Sequence, residues 1–135
     1  MSRALVLPMV SLAALGVAAA AAVSCSKKDA AAPYERPAEC ALAGQPAAGA
    51  RQAWVAMHGF AFSPDTIRVA AGTTVTWVNC EDPNIDPHTS TASGGEWDSG
   101  YLRPGEKYAH TFAGAGNFGY SCTPHPFMRG AVVVQ

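Results

Sequence analysis

Close to the C-terminal end, Cys122, His125 and Met128 follow one another at steps of three in the run Cys122-Thr123-Pro124-His125-Pro126-Phe127-Met128. A thiolate, an imidazole and a thioether in one loop suit copper. The two prolines restrict φ within that loop, so aiming its donors at one point costs less chain entropy. A mononuclear copper site of the electron-carrying kind uses two histidines, one cysteine and a weak axial methionine, so a second histidine must come from elsewhere. The other histidines are His58, His88 and His110. His88 is the favoured partner, because it lies in a Pro-rich loop behind a strand-like run, where a side chain can meet a loop ligand. His110 alternates with Tyr108 and Phe112, and His58 stands beside Gly59 at a strand break, so both read as structural or exposed.

The elements that must hold these donors are short. From Ala53 onward, runs at 54–57, 60–62, 66–70, 73–79, 108–112, 118–122 and 131–134 are bounded by turn residues, the texture of an all-β sandwich. In the run 118–122 the period of two puts Phe118, Tyr120 and Cys122 on one face, so Cys122 ends a strand whose large side chains point into the core. No helical period of useful length and no internal repeat is evident.

The rest of the chain bounds its class. At 135 residues there is room for one core and a tail, not for a two-domain enzyme. Nine Lys and Arg stand against ten Asp and Glu, a formal net charge of −1 that offers no basic patch to a polyanion, so no nucleic-acid partner is expected. After Arg3, residues 4–23 carry no charge and are apolar apart from Pro8, Ser11 and Gly16, the layout of an export signal. About 20 residues could also cross a bilayer, but eight of residues 4–23 are Ala, which partitions weakly into lipid; a signal over residues 1–24 is expected. Ala22-Val23-Ser24-Cys25 resembles a lipobox, with Ala22 where leucine is usual, which implies acylation of Cys25 and membrane anchoring. Cleavage by ordinary signal peptidase is the alternative. Residues 25–50, rich in Ala, Pro and Gly, read as a flexible tether, leaving 51–135 as the β domain.

With these residues in view, the run from Cys122 to Gly130 resembles the copper loop of the amicyanins, and the chain from Trp54 to Gln135 resembles the plastocyanin and amicyanin group of cupredoxins. Further matches are Phe60-x-Phe62-x-Pro64, the strand Gly72 to Asn79, Pro87-His88, Asp98-Ser99-Gly100, Pro104-Gly105 and His110-Thr111-Phe112. The resemblance implies a Greek-key β-sandwich, the cupredoxin fold, with one type 1 copper held by His88, Cys122, His125 and Met128. It also implies a monomeric periplasmic electron carrier, not an enzyme, whose redox partners, a cytochrome or a periplasmic oxidoreductase, dock near His125. Three features depart from the family pattern. The segment between Asn79 and His88 is longer and more acidic than the usual amicyanin loop. Thr89 stands where many cupredoxins have an Asn tying the two copper loops together, and its hydroxyl has a shorter reach. Pro124 has no N–H to donate to the thiolate sulfur, which leaves more charge on sulfur and favours a lower reduction potential.

Cys40 and Cys80 remain. Export would place them in an oxidising compartment, where paired thiols close, so a Cys40–Cys80 disulfide is expected, pinning the end of the tether to the loop that leads to His88. A copper-delivery or copper-storage lipoprotein is the alternative function, but such proteins favour open Met/His sites, and a buried thiolate argues against exchange. A fragment of a copper oxidase or nitrite reductase is weaker still, since no further His cluster exists for a second centre.

Overall fold

The computed structural model describes residues 32–135, so the expected signal and Cys25 lie outside the described residues. Eight strands follow a single short 3-10 helix, Ala38–Leu42: β1 (Gln52–Met57), β2 (Phe62–Ser63), β3 (Thr66–Val69), β4 (Thr73–Asn79), β5 (Thr91–Ala92), β6 (Lys107–Phe112), β7 (Gly116–Ser121) and β8 (Arg129–Val134). They form two four-stranded sheets, in the orders β2-β1-β4-β6 and β3-β8-β7-β5. The expected β-sandwich is met. Among the described residues no helix is long and apolar enough to cross a membrane.

Alternation builds the core. In β4, Thr73, Val75 and Trp77 are buried while Thr74 and Thr76 between them are partly exposed, and β6 turns Tyr108, His110 and Phe112 to the same inner side. From the facing sheet come Ile67, Tyr120, Val132 and Val134. Trp77 stacks on Trp97 at 5.2 Å between centroids, and Trp97 in turn stacks on His110, which accounts for that histidine structurally; His58 is exposed.

Two corrections follow. The run 60–62 is not one strand: Phe60 sits at positive φ in a turn, and only Phe62–Ser63 pairs with β1. The tether does not extend to residue 50, because from Pro33 the chain belongs to the same compact unit as the sandwich. The physical reason is a small second core on the outer side of the first sheet, where Ala56, Val78 and Cys80 are buried under Cys40 and Ala43. The Cys40–Cys80 disulfide lies at its centre. Polar contacts extend the seal: Arg36 pairs with Asp82, Lys107 with Glu39, the Tyr34 hydroxyl donates to the Glu81 carbonyl, and Gln45 bonds the backbone of Thr66 and Arg68. An Ala/Pro-rich segment orders here because it covers apolar side chains that a two-sided strand would otherwise expose.

The register also places the loops. β1 and β4 run parallel, with Met57 opposite Asn79, so both strands end on one side of the sandwich. β7 delivers its C-terminal end, Ser121, to the loop that contains the sulfur and imidazole donors.

Candidate metal centre

His88 is fully buried and its backbone is clamped by two bonds, its N–H to the Leu102 carbonyl at 3.1 Å and the Leu102 N–H to its own carbonyl at 2.8 Å. Its Nε2 lies 3.1 Å from Glu81 Oε1. Burial by itself would raise the Glu81 pKa, but the backbone N–H groups of Phe60 and Gly59, with the His88 ring, outweigh it and hold the carboxyl below its ordinary value. A carboxylate only accepts, so His88 Nε2 carries the proton and Nδ1 keeps its lone pair on the opposite edge. The buried Asn79 side chain braces this loop by donating to the Leu102 carbonyl and accepting from the Glu81 N–H.

That lone pair faces the other two donors. His88 Nδ1 is 3.1 Å from His125 Nδ1 and 3.8 Å from Cys122 Sγ, and His125 Nδ1 is 3.6 Å from the same sulfur. Two ring nitrogens and a sulfur converging in this way form a ligand set. The point equidistant from the corners of such a triangle lies about 2.0 Å from each, the length of a metal–imidazole bond. Cys122 is buried and unpaired with any other cysteine, and the donor set is the soft and borderline mixture that copper takes. The residues present therefore fit the ion.

The surrounding bonds fix the sulfur and the loop. The Thr89 N–H donates to Cys122 Sγ at 3.2 Å. The Thr89 hydroxyl also spans the gap that its short side chain had made doubtful: it accepts from the Thr123 N–H at 2.8 Å, within a cluster of the Thr89, Thr91 and Thr123 hydroxyls. The copper loop closes on itself, with the Cys122 N–H bonded to the Met128 carbonyl and the Met128 N–H to the His125 carbonyl. Met128 is 2% exposed, whereas His125 is half-buried and Phe127 is 68% exposed beside it.

All four expected ligand positions thus belong to one end of the molecule, three of them within mutual reach through their donor atoms and Met128 buried in the same closed loop. Two further residues escaped the sequence reading. Glu81 holds His88 through its Nε2, and the Phe60 ring makes T-shaped contacts with both His88 and His125, with centroids 5.3 Å and 5.0 Å apart. Glu81 was visible only as part of an acidic loop. Gly59-Phe60 between two apolar runs is a two-residue hairpin signal, but not one that points to a metal.

Comparison with known proteins agrees with this geometry. The chain is 40% identical over 76 residues to amicyanin-alpha of Methylorubrum extorquens, covering 55% of this chain and 64% of that protein. It is 41% identical over 71 residues to amicyanin of Paracoccus denitrificans, covering 51% and 54% respectively, so the chain spans about half to two thirds of the length of these curated relatives. A copper(I) structure of an amicyanin mutant superposes with a TM-score of 0.56 at 31% identity, covering 63% of this chain and 83% of that one. Residues 51–135 match the copper binding proteins of the plastocyanin/azurin family, and with the donor triangle where such a site requires it, the chain belongs to that family.

Proposed function

We propose that this chain carries single electrons on one type 1 copper ion and is not an enzyme. The observation that carries the reading is the contrast in exposure around the donor triangle: His88 and Cys122 are sealed, and His125 alone of the three is partly exposed. Copper, when bound, supplies a one-electron couple. The protein's part is to keep the donors in one arrangement and to keep out substrate and water. Glu81 fixes the tautomer of His88, Thr89 donates to the sulfur, and Met128, buried in the same closed loop, would supply the fourth donor. Because the donors are held by bonds that do not depend on the ion, little has to move when its charge changes.

His125 is the assigned port for electrons, and Pro124, Pro126 and Phe127 make the exposed apolar rim on which a redox protein would dock. Small, quickly released interfaces suit such a carrier. The assigned location is the periplasm, with Cys25 acylated as a membrane anchor.

The test is the visible spectrum of the copper-loaded chain together with its electron exchange. An intense thiolate-to-copper charge-transfer band that bleaches on reduction and returns on oxidation, with rapid exchange with a small cytochrome c in stopped flow, is expected. A colourless copper-bound form that passes its ion to a chelator would overturn the proposal in favour of copper delivery or storage.

A further inference from the structure

We propose that Phe60 is a positioning residue for both histidine ligands, and that the chain keeps a bulky ring in a left-handed backbone conformation for this purpose; the inference rests on the copper assignment above. His58-Gly59-Phe60-Ala61 is a two-residue hairpin turn, closed by His58 N–H to the Ala61 carbonyl at 3.0 Å and Ala61 N–H to the His58 carbonyl at 3.2 Å. Both central residues have positive φ, 62° at Gly59 and 57° at Phe60. That is the type I′ pattern, which favours glycine, asparagine and aspartate. Phe60 is the one non-glycine residue at positive φ among the described residues. A bulky side chain there is an outlier, and outliers of this kind persist where the surroundings over-determine them.

Three contacts do so. The Phe60 N–H donates to Glu81 Oε1 at 2.9 Å. The Phe60 ring meets His88 edge-to-face at 5.3 Å with an interplanar angle of 78°, and His125 at 5.0 Å with an angle of 89°. Successive N–H groups of a tight turn can converge on an anion, and in this turn the N–H groups of Gly59 and Phe60 both act on one carboxylate. Here the anion is the Glu81 carboxylate, whose same oxygen meets His88 Nε2. One turn therefore acts twice on the site. Its backbone holds the carboxylate that sets the His88 tautomer, and its ring limits the tilt of both imidazoles. Glycine or asparagine at position 60 would satisfy the turn and the carboxylate while leaving both imidazoles without this ring contact.

The competing role is simple packing, since Phe60 also lies against the main core. Phe60→Leu separates the two, because it keeps apolar bulk and the same backbone burden but removes the aromatic edge. In the full chain, the metal-free form of Phe60→Leu is expected to melt within about 2 °C of wild type. Its copper affinity should fall about tenfold, as when an outer partner of a ligand is lost, the charge-transfer band should shift, and Phe60→Tyr should restore both. Unchanged affinity and spectrum overturn the inference, and so does a loss of affinity fully matched by a loss of metal-free stability. If Phe60→Leu does not fold, proton NMR of the metal-free wild-type chain decides: NOEs from the Phe60 ring to both imidazoles are expected, and their absence overturns the inference. A wild-type chain that takes up no copper fails the copper assignment instead, which is a different result from copper bound equally well by both forms.

Discussion

At the scale of single residues, the donor triangle depends on contacts made across the fold: Glu81 Oε1 meets both His88 Nε2 and the Phe60 N–H, and the Thr89 hydroxyl accepts from the Thr123 N–H. Cys122, His125 and Met128 announce themselves because one loop holds them all, and His88 because its loop follows a strand. Glu81 and Phe60 carry no such mark, since their roles arise only when the turn after β1 and the loop after β4 come together. Thr89 is the converse case: its hydroxyl is short, yet it reaches Thr123 because the two loops approach closely at that point. Another residue-level effect concerns Tyr120, whose phenol is buried in a T-shaped contact with Trp77, ring centroids 5.3 Å apart. Burial raises its pKa well above the ordinary 10.0. Below pH 10 both folded and unfolded chains keep this proton; above it the unfolded chain loses the proton first, so stability falls as pH rises. The expected slope from this group is up to about 1.4 kcal/mol per pH unit. Urea unfolding between pH 9 and 11 should show a shallower decline in Tyr120→Phe than in wild type; equal declines would assign the alkaline limb to other groups.

At the scale of elements, the strands were legible wherever one face is buried, and β4 spans the same residues as its run in the sequence. The two-residue strand β5 and the 3-10 helix were not, because neither is long enough to show a period. The N-terminal segment was misread for a different reason: its composition cannot form a core of its own, but it can cover one supplied by Ala56 and Val78. The disulfide converts that weak cover into a fixed part of the fold across a sequence separation of 40. Cys40→Ala with Cys80→Ala is expected to lower stability by about 4 kcal/mol on loop entropy and to open the Pro33 to Ala43 segment to proteolysis. The copper spectrum should persist, because Asn79 still braces the backbone at Glu81. Loss of copper binding without loss of stability would mean that the bridge serves the site directly.

At the scale of the whole molecule, the proposal of a lipid-anchored carrier is tested by partitioning. The wild-type chain should sediment with membranes and carry the added mass of an acylated cysteine, while Cys25→Ser should remain in the soluble fraction. Wild-type chain in the soluble fraction with no added mass would place cleavage elsewhere. The strand order has a consequence in time. Cys122, His125 and Met128 lie between β7 and β8, and β8 pairs with β7 on one side and in parallel with β3 on the other. A chain emerging from its N-terminus thus has its hairpin turn, Glu81 and His88 long before the loop that completes the donor triangle, which closes only when the last strand docks. The triangle is therefore complete only once both sheets are assembled, and of its three donors the one partly open to solvent is His125.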